Sequence, residues 1–285
     1  MTKACRYPAG AFLLLTLAAT DASEGVKLRS LPAIYADDRG AGLMQPEGVA
    51  FDGKSLLAVA DTGNKRLLKY TIAGSQVTPA GEIRLNEIPC PIKVQIGSRG
   101  ELFALDGKSR RIARVSPAGE FKGYVQPAGD GQAGPLIPRS FTIDREDNLY
   151  VLDVFQARVL VLDPAGRTQR TIAYPKKQGF LSDLAVDDKG TVFAIDSVGR
   201  RVFVARRADV ALTPLTGGMQ ADMAFPTAIA VDDQGRIYVA DQNGDGIVIL
   251  GADGSFRGRQ AGTGWKEGSL RYPSGLCAGT AGTIF

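Results

Sequence analysis

Aspartate and arginine recur at a fixed interval along this chain, and any chemistry it performs would have to rest on them. Asp61, Asp106, Asp153, Asp196 and Asp241 stand about 45 residues apart; five residues beyond the first four come Arg66, Arg111, Arg158 and Arg201, with Gly246 in the fifth place. Carboxylates can do general acid–base work or hold a cation, and a guanidinium can bind an anionic group. The repetition points elsewhere. A reaction needs its acid or base once, whereas a fold built of repeats needs the same brace in every copy. An Asp at the end of a strand can accept hydrogen bonds from the N–H groups of the following turn, and the Arg can pair with it, so these residues are expected to be structural markers.

The chain of 285 residues has no histidine. That removes the commonest general base, the Ser-His triads and the His-bearing zinc sites together. Asp241, Asn243 and Asp245 place oxygens at positions one, three and five of a calcium loop, but the twelfth position is Ala252, not the bidentate Glu such a loop needs. No catalytic residue, metal ion or cofactor is expected from these patterns.

The elements that position these residues follow from the same period. Segments beginning at Pro46 (PEGVAFD), Pro91, Pro138, Leu181, Pro226 (PTAIAVD) and Pro273 open six repeats of about 45 residues, and Gly74, Gly119, Gly166 and Gly254 recur later in the period. Between the markers lie short apolar or alternating runs such as GVAF, LLAVAD, RLLKY, LYVLD, RVLVLD and RIYVAD. Four short strands per period of this length are the signature of a propeller blade. The expected fold is all-β, a six-bladed β-propeller of four-stranded blades over residues 46–285.

The sixth repeat stops at Phe285, three residues short of its expected aspartate. The last blade is therefore expected to be truncated. Residues 26–38, within an N-terminal segment 23–45, are expected to supply a ring-closing outer strand. The missing strand would leave an open edge, so a fragment of a longer protein is the expectation, with a blade completed by another chain as the alternative.

The pattern Pro-x-x-(Ile/Val)-Ala-(Val/Phe)-Asp, Gly-x-(Ile/Leu)-(Tyr/Phe)-Val-x-Asp, then Arg-(Ile/Val/Leu), resembles the NHL repeat of TolB-like propellers. PTAIAVDDQGRIYVADQNGDGIVILGADGSF and the DTGNKR turn after Val59-Ala60 carry the likeness. It implies an interaction platform, in this chain an exported, non-catalytic module that binds a protein, a peptide or a polar ligand. Two enzyme types resemble such propellers. The peptidylglycine-amidating lyase uses histidine zinc ligands, which this chain lacks. The gluconolactonase type holds a metal with Glu, Asn and Asp; Glu47 and Asp183 resemble part of that set, without an Asn partner, and a metal-dependent lactonase is the alternative function.

Binding is expected where the loops before the inner strands open on one face. Glu47, Lys93, Arg139, Asp183, Thr227 and Ser274, one or two residues after each repeat start, form a polar rim suited to a polar ligand or a peptide terminus. Phe155, in the turn between Asp153 and Arg158, and Trp265, in the loop before the sixth repeat, are out-of-pattern aromatics and candidate partner anchors.

Lys3, Arg6, the apolar run 10–19 and the small and polar residues after it have the layout of a secretory signal peptide over residues 1–22. The apolar run is too short to span a bilayer as a helix. A secreted or periplasmic location is expected, with no integral membrane span after cleavage. The formal charge of +4, from 34 basic and 30 acidic residues, gives no reason to expect a nucleic-acid partner. Cys90 and Cys277 belong to repeats that are not neighbours in a ring, and no disulfide is expected.

Overall fold

A computed structural model describes residues 15–18, 27–30, 33–129, 134–264, 268–279 and 282–285. Five four-stranded antiparallel sheets follow one another along the chain. Blade 1 comprises Pro46–Phe51, Leu56–Asp61, Arg66–Ala73 and Gln76–Ile83. Blade 2 comprises Pro91–Ile96, Leu102–Asp106, Arg111–Val115 and Phe121–Tyr124. Blade 3 comprises Pro138–Ile143, Leu149–Asp153, Arg158–Leu162 and Thr168–Ala173. Blade 4 comprises Leu181–Val186, Val192–Asp196, Arg201–Ala205 and Thr213–Pro214. Blade 5 comprises Pro226–Val231, Ile237–Asp241, Gly246–Leu250 and Phe256–Gln260.

The second strand of every blade is buried almost throughout, because a neighbouring blade covers each of its faces. That is why these strands read as continuous apolar runs rather than alternating ones. Outer strands such as Gln76–Ile83 face solvent and carry polar residues. The cores lie between blades: Leu152, Val159 and Ile172 of blade 3 pack with Leu184, Ala194 and Phe203 of blade 4.

The five-residue spacing of the markers is a consequence of register. Asp61 lies opposite Arg66, Asp106 opposite Arg111, Asp153 opposite Arg158, Asp196 opposite Arg201 and Asp241 opposite Gly246, across the turn between the second and third strands. Each turn closes through a left-handed residue just before the third strand, namely Lys65, Arg110, Ala157, Arg200 and Asp245, with φ between 49° and 57°.

Six blades with the last cut short were expected; the structure has five complete blades. The sixth repeat does not form a four-stranded sheet of its own because its chain supplies only two short stretches of strand pairing. Cys277 and Phe285 exchange backbone hydrogen bonds at 3.0 and 2.9 Å, and Thr283–Ile284 pairs with Leu15–Ala18, which pairs in turn with Lys27–Ser30. Residues from both ends of the described chain thus share one three-stranded sheet. Leu15–Ala18 falls inside the run read as the core of a signal peptide, most of which lies outside the described residues.

The last repeat nevertheless packs on both neighbours. Cys277 and Phe285 join Val49, Leu57 and Val59 of blade 1, and the Phe51 and Phe285 rings lie 4.9 Å apart. Leu276 and Ile284 join Ala228, Tyr238 and Ile247 of blade 5. Cys90 and Cys277 are free thiols. Among the described residues, no helix is long and apolar enough to cross a membrane.

Candidate functional site

Each marker aspartate is buried and fastens the loop that enters its blade to the turn beside it. Asp61 accepts from the Met44 N–H at 2.7 Å and from Asn64 and Arg66 Nε. Asp106 accepts from Cys90 and Ser109 N–H groups, and Asp196 from those of Gly179, Phe180 and Gly199. Asp153 accepts from Ile137 and Phe155 N–H groups and lies 3.3 Å from Arg158 Nε. Backbone polar groups that would otherwise be unsatisfied at the loop entrances find their acceptors in these carboxylates.

The arginines are less uniform. Arg66 bridges three carboxylates, those of Asp61, Asp37 and Glu82. Arg111 instead stacks on Tyr124, 3.5 Å from the ring centroid, and Arg201 stands 3.9 Å from Asp196. In blade 5, where Gly246 replaces the arginine, Arg259 reaches back from the outer strand and donates to Asp241 at 2.9 Å. A Cβ at Gly246 would lie 3.1 Å from Arg259 Nε, so the glycine leaves the space that this second arginine fills. Sequence reasoning missed Arg259 because its partner lies 18 residues away, outside the repeated spacing.

Asp241 also accepts from the N–H groups of Ala224 and Phe225, while Asp245 accepts from Tyr272 N–H and the Thr263 hydroxyl. The two carboxylates of the half calcium loop, Asp241 and Asp245, are thus bonded within the protein. Among the described residues no group of three or more His, Cys, Asp or Glu could hold a metal ion.

The expected polar rim divides in two, and a bulge explains why. Pairing of the inner with the second strand skips one residue at its start: Glu47, Ile92, Arg139, Ser182 and Thr227 have no partner in register. Such a bulge turns its residue away from the ladder. The next residue returns to register and faces the ring axis. In that inner layer Lys93 of blade 2 forms an ion pair with Asp183 of blade 4. Asp183 also accepts from the Ser140 hydroxyl of blade 3 at 2.5 Å and from the Ile229 N–H of blade 5 at 3.1 Å. Gly48, Ala228 and Gly275 hold the equivalent places in the other repeats. Ser140 could have been found by reading this one offset in every repeat.

Thr227 Oγ1, on a bulge, donates to the Pro273 carbonyl at 3.2 Å, and Ser274 Oγ, at the matching place in the last repeat, donates to the Pro46 carbonyl at 3.3 Å. These hydroxyls stitch the last repeat to blades 5 and 1. Glu47 and Arg139 remain at the mouth. Glu47 is exposed, yet the protein around it pushes its carboxyl above the usual value, with the Arg139 charge opposing that rise. Desolvation lowers Arg139, and like charge on Arg110 adds to the effect, while Asp183 and Glu47 oppose it. The Nε of Arg139 is buried without a hydrogen-bond partner. Its guanidinium carbon lies 5.1 Å from the centroid of the Phe180 ring.

Large apolar side chains are exposed on this same face. Val154 and Phe155 occupy the turn of blade 3, Val198 the turn of blade 4, and Phe180 the loop that enters blade 4. Phe155 is 56% exposed and Val198 64%. Ser197 N–H bonds the Phe180 carbonyl, and Val154 N–H bonds the Ile137 carbonyl two residues before Arg139, so these groups form one neighbourhood. Residues 154–157, 174–180 and 197–200 include Lys176, Lys177 and Arg200 but no carboxylate. Trp265 lies outside the described residues. Phe180 and Val198 gave no signal in the sequence, since Phe225 and Tyr272 hold the same place as Phe180 in other repeats.

Fold and site together define a β-propeller with a lysine–aspartate ion pair across its inner layer and exposed apolar side chains on one face. Solved structures that resemble it confirm the fold. The chain superposes on a nidogen/laminin complex with a TM-score of 0.64 at 17% identity, covering 94% of this chain and 98% of that one. A streptogramin B lyase gives 0.61 at 14% identity over 98% and 90% of the two chains. A catalytically inactive histidine-to-alanine variant of virginiamycin B lyase from Staphylococcus aureus, with quinupristin, gives 0.59 at 15% identity over 82% and 74%. No family model and no curated protein matches the chain.

Proposed function

We propose that this chain is an exported, non-catalytic binding module that receives a protein or peptide segment on the mouth between blades 3 and 4. The reading keeps the NHL-type interaction platform that the repeats resemble. One observation carries it: Val154, Phe155, Phe180 and Val198 are exposed on one face, and the Phe180 ring there lies 5.1 Å from the Arg139 guanidinium, whose Nε has no acceptor. Exposed apolar groups clustered beside unpaired polar ones mark interaction sites more than scattered ones do. The nidogen/laminin likeness is in keeping with protein binding.

Two enzyme readings are weaker. The lyase whose inactive variant lacks a histidine resembles a chain that here has none. A lactonase metal would need Asp183, whose carboxylate already faces Lys93, Ser140 and the Ile229 N–H. The residue layout of positions 1–22 supports export, and amino-terminal sequencing of protein recovered outside the cytoplasm tests it. Cleavage near Ala22 is the expected result; a retained N-terminus would leave Leu15–Ala18 in the fold and overturn the signal-peptide reading.

Peptide display on the purified chain tests the binding role. Enrichment of sequences that bind the native chain and are lost on a Phe155→Ala/Val198→Ala variant is expected. Selection without enrichment, or enrichment indifferent to that variant, would remove the proposal.

A further inference from the structure

Arg139 is an incomplete cation. Its Nε is sealed from solvent with no hydrogen-bond partner, and among the described residues no ion pair to it is formed. Asp183, the nearest buried carboxylate of the inner layer, is held by Lys93 and Ser140, and Glu47 acts on it through charge without a hydrogen bond. A half-buried guanidinium left this way bears a desolvation cost that an incoming anion would remove. Arg110 adds like charge, opposed by Asp183 and Glu47, and the segments 174–180 and 197–200 carry Lys176, Lys177 and Arg200 without acidic residues.

The second component is apolar. The Phe180 ring lies 5.1 Å from the guanidinium carbon, and Val198 stands so close behind that a Cβ built on Gly179 would be 2.6 Å from its own. A ligand that carries a carboxylate and an apolar group on one carbon satisfies both. The end of a peptide chain has that arrangement, because the terminal carboxylate and the last side chain share one α-carbon. A glutamate side chain within a peptide has no apolar group beside its carboxylate. We infer that the surface at Arg139 and Phe180, with Val198 beside Gly179, binds the carboxyl terminus of a peptide whose last residue is apolar. This rests on the peptide-binding role proposed above and names its ligand.

The test is an NMR titration of the full chain with three N-acetylated peptides: Gly-Gly-Phe as the free acid, the same peptide as its amide, and an amidated Gly-Glu-Gly. The free acid is expected to bind at least about tenfold more tightly than either amide, as loss of one charge-assisted contact worth ~1.4 kcal/mol implies. Arg139→Gln abolishes the difference between acid and amide. Phe180→Ala weakens the free acid while keeping its preference over the amide. Urea unfolding of each variant, with the native midpoint, excludes loss of fold. Equal binding of acid and amide, or an unchanged preference in Arg139→Gln, overturns the inference. Peptides selected on the same face that tolerate amidation would overturn it while leaving the binding role intact; absence of any peptide binding removes both.

Discussion

Replacing Asp183 by Ala removes one carboxylate that four blades share. The lost acceptor leaves the Lys93 ammonium, the Ser140 hydroxyl and the Ile229 N–H facing one another across the axis. The carboxylate is 5% exposed and the lysine side chain 17%, so water does not fully replace the partner. Breaking a buried ion pair from one side costs about 3–5 kcal/mol. Total stabilities are on the order of 5–15 kcal/mol, so the variant forfeits a large fraction of the fold's margin. At roughly 2–4 °C per kcal/mol for a domain of this size, its Tm falls by about 6–20 °C. Lys93→Met in the same chain removes the stranded cation, and the double variant recovers part of the loss. Urea unfolding followed by circular dichroism, run as a double-mutant cycle, reads this directly. A single-variant loss below about 1 kcal/mol, in the range of exposed pairs, would refute the burial of this pair.

Three further outcomes follow from the braces. Arg66 holds the carboxyls of Asp37 and Glu82 below their usual range: for Asp37 burial opposes the shift and the hydrogen bonds from Arg66 and backbone outweigh it, and for Glu82 the bond from Arg66 leads. A lowered folded value gives stability that is present above the ordinary carboxylate pKa and lost as pH falls through the folded one. Urea midpoints should therefore separate native chain and Arg66→Met widely at pH 7, converging toward pH 2–3; a constant gap would contradict the linkage. Arg259→Ala leaves Asp241 without its guanidinium and should cost about 1.5–3 kcal/mol in the same assay, whereas no loss would show that the substitute arginine braces nothing. Gly275→Ala would drive a Cβ into the Glu47 carbonyl oxygen, and overpacking of this kind costs about 1–3 kcal/mol; a neutral result would mean that the last repeat does not close against blade 1.

The strands of the five blades were legible because each repeat states its own boundaries. A proline or leucine opens the inner strand, an aspartate closes the second, and burial on both faces keeps the second strand apolar. The closure was not legible. The pairing of Leu15–Ala18 with Thr283–Ile284 spans nearly the whole chain, and a short apolar run carries no local mark of such a partner. The rim was only half legible for a similar reason. Offsets of one and two residues from the repeat start looked equivalent, yet the bulge sends Arg139 to the mouth and leaves Asp183 on the axis. Contacts such as Lys93–Asp183 join repeats that are not adjacent, and no local pattern encodes them.

The account rests on the mouth between blades 3 and 4 being the binding face, and amide hydrogen exchange with a selected peptide bound tests this most directly. Protection is expected at residues 154–157, 174–180 and 197–200, with the turns at Asp144–Asn148 and Asp187–Thr191 on the opposite end unchanged. Protection confined to that opposite end, or spread evenly over the ring, would contradict it.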